Sequence, residues 1–206
     1  VGVNIHAPGM PLLDAVRFSE AHGLARVLRV GLAHPRLDRT NRYLHPCHYR
    51  RVGDGLEKLL AEITPDGFTL SFDCGFVPCM FTPEFLQRAG VTMADLGHRC
   101  GPIPDILPDL SAIHCFPLGD VDQIPLSGLD TIGEVRDLLS ERTEALGGVG
   151  VYRECERCPL HEDGQCWGGC RAAAMVRAHR VSPVAPKRLE LPRPATAPPI
   201  TLPRAW

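Results

Sequence analysis

One short run limits what this chain can fold into: Cys155-Glu-Arg-Cys158-Pro-Leu-His-Glu-Asp-Gly-Gln-Cys166-Trp-Gly-Gly-Cys170. A C-x2-C turn lets two thiolates face one metal centre from nearby backbone positions, and a second pair completes a set of four. Gly164, Gly168 and Gly169 suit a backbone that must wrap closely and adopt positive φ. The whole chain carries nine cysteines, an odd number, and no charged-then-apolar leader precedes them. A disulfide framework therefore explains them poorly, whereas reduced thiols at short spacings in a cytoplasmic setting commonly hold metal. Spacing alone leaves zinc and iron–sulfur both open.

The segments before this run alternate in period. Val1–Ile5 reads as a short strand, Pro11–His22 as an amphipathic helix closed by Gly23, and Arg26–Ala33 as an apolar strand. Gly53–Ile63 places Leu56, Leu59, Leu60 and Ile63 on one helical face, Pro65-Asp66-Gly67 stops it, and Phe68–Asp73 is the next strand. Strand–helix repetition of this kind predicts parallel βα units in one sheet. Three strands cannot close a barrel, so half of a (β/α) barrel and a small open sheet both fit. We expect residues 1–98 to form this α/β part and residues 99–180 a small cysteine-rich α+β domain. In the latter, Ala112–Leu118 reads as a hairpin strand, Thr131–Leu146 as a helix with Ile132, Val135, Leu138, Leu139 and Leu146 near one face, and Arg171–His179 as a short helix. Residues 181–206 are dominated by proline and are expected to be disordered.

The CxxCP…CxGGCRA pattern resembles the SPASM/twitch domain at the C-terminus of many radical S-adenosylmethionine (SAM) enzymes. That family carries an upstream cysteine pair about fourteen residues apart, and Cys100 and Cys115 match it within CGPIPDILPDLSAIHC. The resemblance covers about residues 99–175, and the preceding βα segments are similar, more loosely, to the second half of a radical SAM barrel. It implies one or two auxiliary [4Fe–4S] clusters. Cys170 would cross over to join Cys100 and Cys115, while Cys155, Cys158 and Cys166 would hold a second centre. Two departures stand out: no cysteine follows Cys170, and the family's glycine five residues before the second upstream cysteine is Leu110. The second centre is therefore expected to lack a protein thiolate, or to take a histidine such as His161 or His179.

Asp73-Cys74-Gly75-Phe76-Val77-Pro78-Cys79 follows a predicted strand, and strand C-termini face the active site in (β/α) barrels. Cys79, ahead of Cys74, is the expected fourth ligand of the first centre; the alternative is two buried cysteines acting as small hydrophobes. Cys47, between His45 and His48, is a weaker metal signal. Asn4 and Arg29 lie on strands where an intact enzyme would hold SAM, and Trp167 is placed to shield a cluster from water. The CxxxCxxC motif that binds the SAM-cleaving cluster is absent. We therefore expect a missing N-terminal half of the barrel to supply it, the chain opening on Val1 without Met.

The functional expectation is the auxiliary iron–sulfur part of a radical SAM enzyme acting on a peptide or protein. Its alternative is a zinc-stabilised binding module without redox chemistry. A net charge of −2 with no basic cluster gives no support for nucleic acid as a partner. No apolar run approaches the ~20 residues that span a bilayer, so no membrane role is expected.

Overall fold

A computed structural model describes residues 1–96, 100–121, 123–144, 146 and 148–181; the proline-rich segment expected to be disordered lies almost wholly outside them. Its first half is a parallel sheet of β1 (Gly2–Ile5), β2 (Val27–Leu32) and β3 (Thr69–Phe72) in the order β1-β2-β3. The apolar, β-branched run Val27–Leu32 occupies the centre, pairing Val3 with Val30 on one side and Leu28 with Leu70 on the other. Helices α1 (Leu12–Ala21) and α2 (Tyr49–Ile63) connect successive strands, as parallel pairing requires.

Helix α1 ends where the sequence suggests, with Gly23 at φ +61° and its N–H on the Glu20 carbonyl. Helix α2 buries Tyr49, Val52, Leu56, Leu59 and Ile63 along one face. It starts four residues before the expected Gly53, because His45 and Pro46 open a 3-10 turn that runs directly into it. After β3 comes a helix that strand–helix counting did not anticipate, α3 (Pro83–Ala89). Thr82 caps it by accepting from the Phe85 N–H at 3.1 Å, and Glu57 of α2 in turn accepts from the Thr82 N–H at 2.7 Å.

The second half contains a small antiparallel sheet of β4 (Asp105–Ile106), β5 (Ser111–Ile113) and β6 (Gln123–Pro125), in that order. The expected strand Ala112–Leu118 is only partly a strand: it ends at Ile113, and Phe116–Leu118 form a 3-10 turn. Helix α4 (Ile132–Glu144) buries Val135, Leu139 and Thr143, whereas Ile132, expected on that face, is 58% exposed. The short α5 (Pro159–Glu162) and α6 (Arg171–Val181) flank the glycine-rich cysteine loop.

The β4–β5 turn is a tight one. Leu110 has φ +60°, its N–H bonds to the Leu107 carbonyl at 3.0 Å, and the Leu107 N–H bonds to the Ser111 carbonyl at 2.8 Å. That is a three-residue hairpin loop ending in a left-handed residue, a place where glycine is normally used. Leucine thus occupies a glycine conformation at the position where the resembling family has glycine. Asp109 reinforces the turn, accepting from the Ser111 N–H at 3.1 Å and its hydroxyl at 2.5 Å.

One apolar cluster runs through both halves, joining Ile5, Leu28, Val30, Leu56, Phe76 and Val77 to Leu118, Val151, Cys166, Cys170 and Ala172. The cysteine loop is therefore packed onto the sheet-bearing half.

Candidate metal centre

The cysteine loop is shaped by close backbone contact. Val151 N–H bonds to the Gly168 carbonyl at 2.8 Å. A Cβ on Gly168 would lie 2.6 Å from Gly150 Cα, and one on Gly150 would lie 2.4 Å from Cys155 Sγ. No side chain fits at either place. Cys155 sits in a 3-10 turn (Arg153–Arg157), Cys158 precedes α5, and Cys170 precedes α6. Cys166 is held by its N–H on the Leu160 carbonyl at 2.8 Å, and its sulfur accepts from the Gly168 N–H at 3.4 Å.

The thiols also act on one another through their charges. Burial raises the Cys100 pKa, and the Cys170 thiol raises it further, while the Arg171 backbone N–H and its guanidinium pull it down. Cys115 is pushed up to about 12, chiefly by burial, with Cys170, Cys100 and Cys74 all near enough to add to the effect. Cys170 is buried and raised to about 11, opposed by the Ala173 and Ala172 N–H groups at the start of α6. Around Cys166, whose pKa burial also raises, the thiols that act are Cys155 and Cys158.

The loop after β3 carries two further cysteines. Both Cys74 and Cys79 are exposed, so they are not the buried small hydrophobes that one reading of the sequence allowed. Protein mass around Cys79 still raises its pKa to about 11, with Cys155, Cys166 and Cys158 adding to it. The sequence paired Cys79 with the first centre, whereas its thiol neighbours are those of the second set. Cys74 instead acts on Cys115. Its sulfur also lies 3.8 Å from His34 Nε2.

Sequence reasoning missed three polar residues here. Tyr49 is fully buried, its hydroxyl has no hydrogen-bond partner, and the charges of Cys170 and Cys74 act on it. His114 is buried with both ring nitrogens unpartnered, and burial, then Arg171, lowers its pKa to about 4, so the ring is neutral. Arg171 is buried, donates to Thr143 Oγ1 at 2.5 Å and lies 5.2 Å above the Trp167 ring. His114 and Arg171 adjoin Cys115 and Cys170 in sequence, which was a usable signal; Tyr49 had none.

The remaining candidates are apart or otherwise engaged. Cys47 is exposed, and its backbone N–H bonds to His45 Nδ1 at 3.2 Å. Arg29 pairs with Asp73 at 2.9 Å, and Asn4 lies across Gly31, where a Cβ would be 2.6 Å from its Oδ1. His161 lies beside the loop, its Cδ2 3.4 Å from where a Gly168 Cβ would stand. The side chain of His179 lies outside the described residues. Among the described residues, no three His, Cys, Asp or Glu side chains stand close enough to share one metal ion, and no helix is long and apolar enough to cross a membrane. No protein-family model, curated protein or solved structure matches the chain.

Proposed function

We propose that this chain is the auxiliary-cluster part of a radical SAM enzyme that modifies a peptide or protein, holding two [4Fe–4S] centres. The observation that carries the reading is the position of Cys170. Its charge acts on Cys100 and on Cys115, both distant from it in sequence. A single four-cysteine knuckle would gather the last four cysteines together.

The donor chemistry, thiols with a buried hydroxyl near them, is of the kind such a group takes. Cys100, Cys115 and Cys170 would hold one centre, Cys155, Cys158 and Cys166 the other, and the clusters would supply one-electron transfer. The orphaned Tyr49 hydroxyl, buried near Cys170 and Cys74, is a donor suited to a thiolate or cluster sulfur. Leu118, Val151 and the aromatic core around Phe76 keep water from one side of the sulfurs.

Anaerobic reconstitution tests the reading. Two centres bring about eight iron atoms per chain. Cys170→Ala should abolish the same EPR signal as Cys100→Ala and Cys115→Ala. Loss instead of the signal that Cys155→Ala and Cys158→Ala remove, or a colourless zinc-loaded protein, would overturn it.

A further inference from the structure

We propose that a groove beside α6 takes the proline-rich segment that follows this helix in the same chain, with Leu191-Pro192-Arg193-Pro194 as the docked core. The contact involves no metal and stands apart from the reading above.

The groove encloses about 230 Å³, room for several side-chain groups rather than a single water. Its walls are mainly apolar: Pro35, Tyr43, Pro46, Val151, Tyr152 and Val176. Ala173, Val176 and Arg177 enter from α6 at i, i+3, i+4 spacing, which is one helix face. Tyrosine rings set among prolines and valines form the kind of surface on which proline-rich segments dock, since such segments have little conformational freedom to lose. The groove is also preformed. The Tyr152 hydroxyl donates to the Pro46 carbonyl at 2.9 Å, its ring meets Tyr49 edge-on with centroids 6.1 Å apart, and Arg177 Nε donates to the Gly150 carbonyl at 2.9 Å. Walls fixed in advance lower the ordering cost of a weak contact.

The occupant is already attached. Helix α6 ends at Val181, and residues 182–206 hold seven prolines. From Val181 back to Val176 or Ala173 is about 8–12 Å at about 1.5 Å per helical residue. Leu191 stands ten residues beyond Val181. That length spans about 17 Å as a flexible chain and about 31 Å fully extended, so the core reaches the groove without strain. Effective concentration is greatest when reach matches span and falls with longer tethers, which favours Pro192 and Pro194 over Pro198, Pro199 and Pro203. At an effective concentration on the order of millimolar, a segment of only millimolar affinity fills the groove about half the time. Occupancy has two consequences. Cys47 is exposed and lines the groove, so the docked segment covers its thiol. Val151, whose N–H holds the Gly168 carbonyl, is part of the wall, so the segment backs the cysteine loop from outside.

The test uses the full 206-residue chain. A benzophenone amino acid placed at Arg193 should cross-link on irradiation to peptides carrying Tyr43, Tyr152 or Val176 of the same chain, in a yield independent of protein concentration. The double substitution Pro192→Ser with Pro194→Ser leaves residues 1–181 untouched. It should speed alkylation of Cys47 by N-ethylmaleimide about twofold or more, read by mass spectrometry of the Cys47 peptide. Cys74, exposed and outside the groove, should react at an unchanged rate. A Cys47 rate that the double substitution leaves unchanged overturns the proposal, as do cross-links that fall elsewhere or fail to form. A cross-link yield that rises with concentration overturns it in favour of a second copy of the chain.

Discussion

Helix α2 contains two glycines, Gly53 and Gly55, and the structure assigns them opposite responses to alanine. In an unconstrained helix interior, Gly→Ala stabilises by about 1 kcal/mol. Gly55 meets that condition, since an added Cβ finds nothing within 4 Å. At Gly53 the same atom would lie 1.9 Å from the Met80 carbonyl oxygen and 2.7 Å from its carbon. Both atoms are backbone and cannot rotate aside. Reaching ordinary contact at 3.4 Å moves the Pro78–Met80 turn by about 1.5 Å. Overpacking of this kind costs about 1–3 kcal/mol. Set against the propensity gain, Gly53→Ala loses roughly 1–2 kcal/mol net, at the upper end of that range. At about 2–4 °C per kcal/mol for a chain of this size, melting curves should show Gly53→Ala several degrees below wild type and Gly55→Ala a few degrees above. Shifts of the same sign in both variants would refute the reasoning.

Leu110→Gly should stabilise by about 0.5–1 kcal/mol, the left-handed penalty of about 1–2 less the extra freedom of an unfolded glycine. Leu110→Val should destabilise, and comparing their urea midpoints checks the pair. Tyr49→Phe removes a buried hydroxyl without a partner, so the metal-free chain should melt about 1–3 kcal/mol more stably. In the cluster-loaded chain the same change should lower the reduction potential of the centre that includes Cys170, measured by potentiometric titration, because a donor to sulfur is lost.

The parallel half was legible because its strands are apolar runs between breakers, and β2 was placed within a residue of its observed bounds. Helix α3 was not read, although Thr82-Pro83-Glu84 is an N-terminal signal. Much of its fixation is the long-range bond from Thr82 to Glu57, which no local pattern carries. In α4 the periodicity counted Ile132 as core, yet Val135, Leu139 and Thr143 form the buried stripe, one turn further along. The candidate ligand cysteines were all visible as residues, whereas the packing of Val77 against Gly169 has no signature in the spacing of Cys74 and Cys79.

On the proposed reading these sulfurs would act as thiolates, and the backbone around them bears on that. Burial raises the pKa of Cys79, Cys100, Cys115, Cys155, Cys166 and Cys170, so left alone each would stay protonated. A protonated thiol is a weak acceptor and gains little from N–H donors. Yet backbone N–H groups of other residues oppose burial at five of these sulfurs: Arg171 at Cys100, Leu118 at Cys115, Tyr152 at Cys155, Gly168 and Gly169 at Cys166, and Ala173 and Ala172 at Cys170. At Cys170 the donors are the first N–H groups of α6, where the helix dipole also favours negative charge. Donors gathered on buried sulfurs stabilise the charged form, the one that ligates metal, and contribute little to a cysteine acting as a small hydrophobe. Gly168 and Gly169 show how the arrangement is made. Positive φ at both, +72° and +87°, brings consecutive N–H groups round to Cys166. Alanine at either would strain the turn and misdirect a donor. Each would weaken the second centre without removing a ligand, a loss that faster iron release at unchanged thiol count would register.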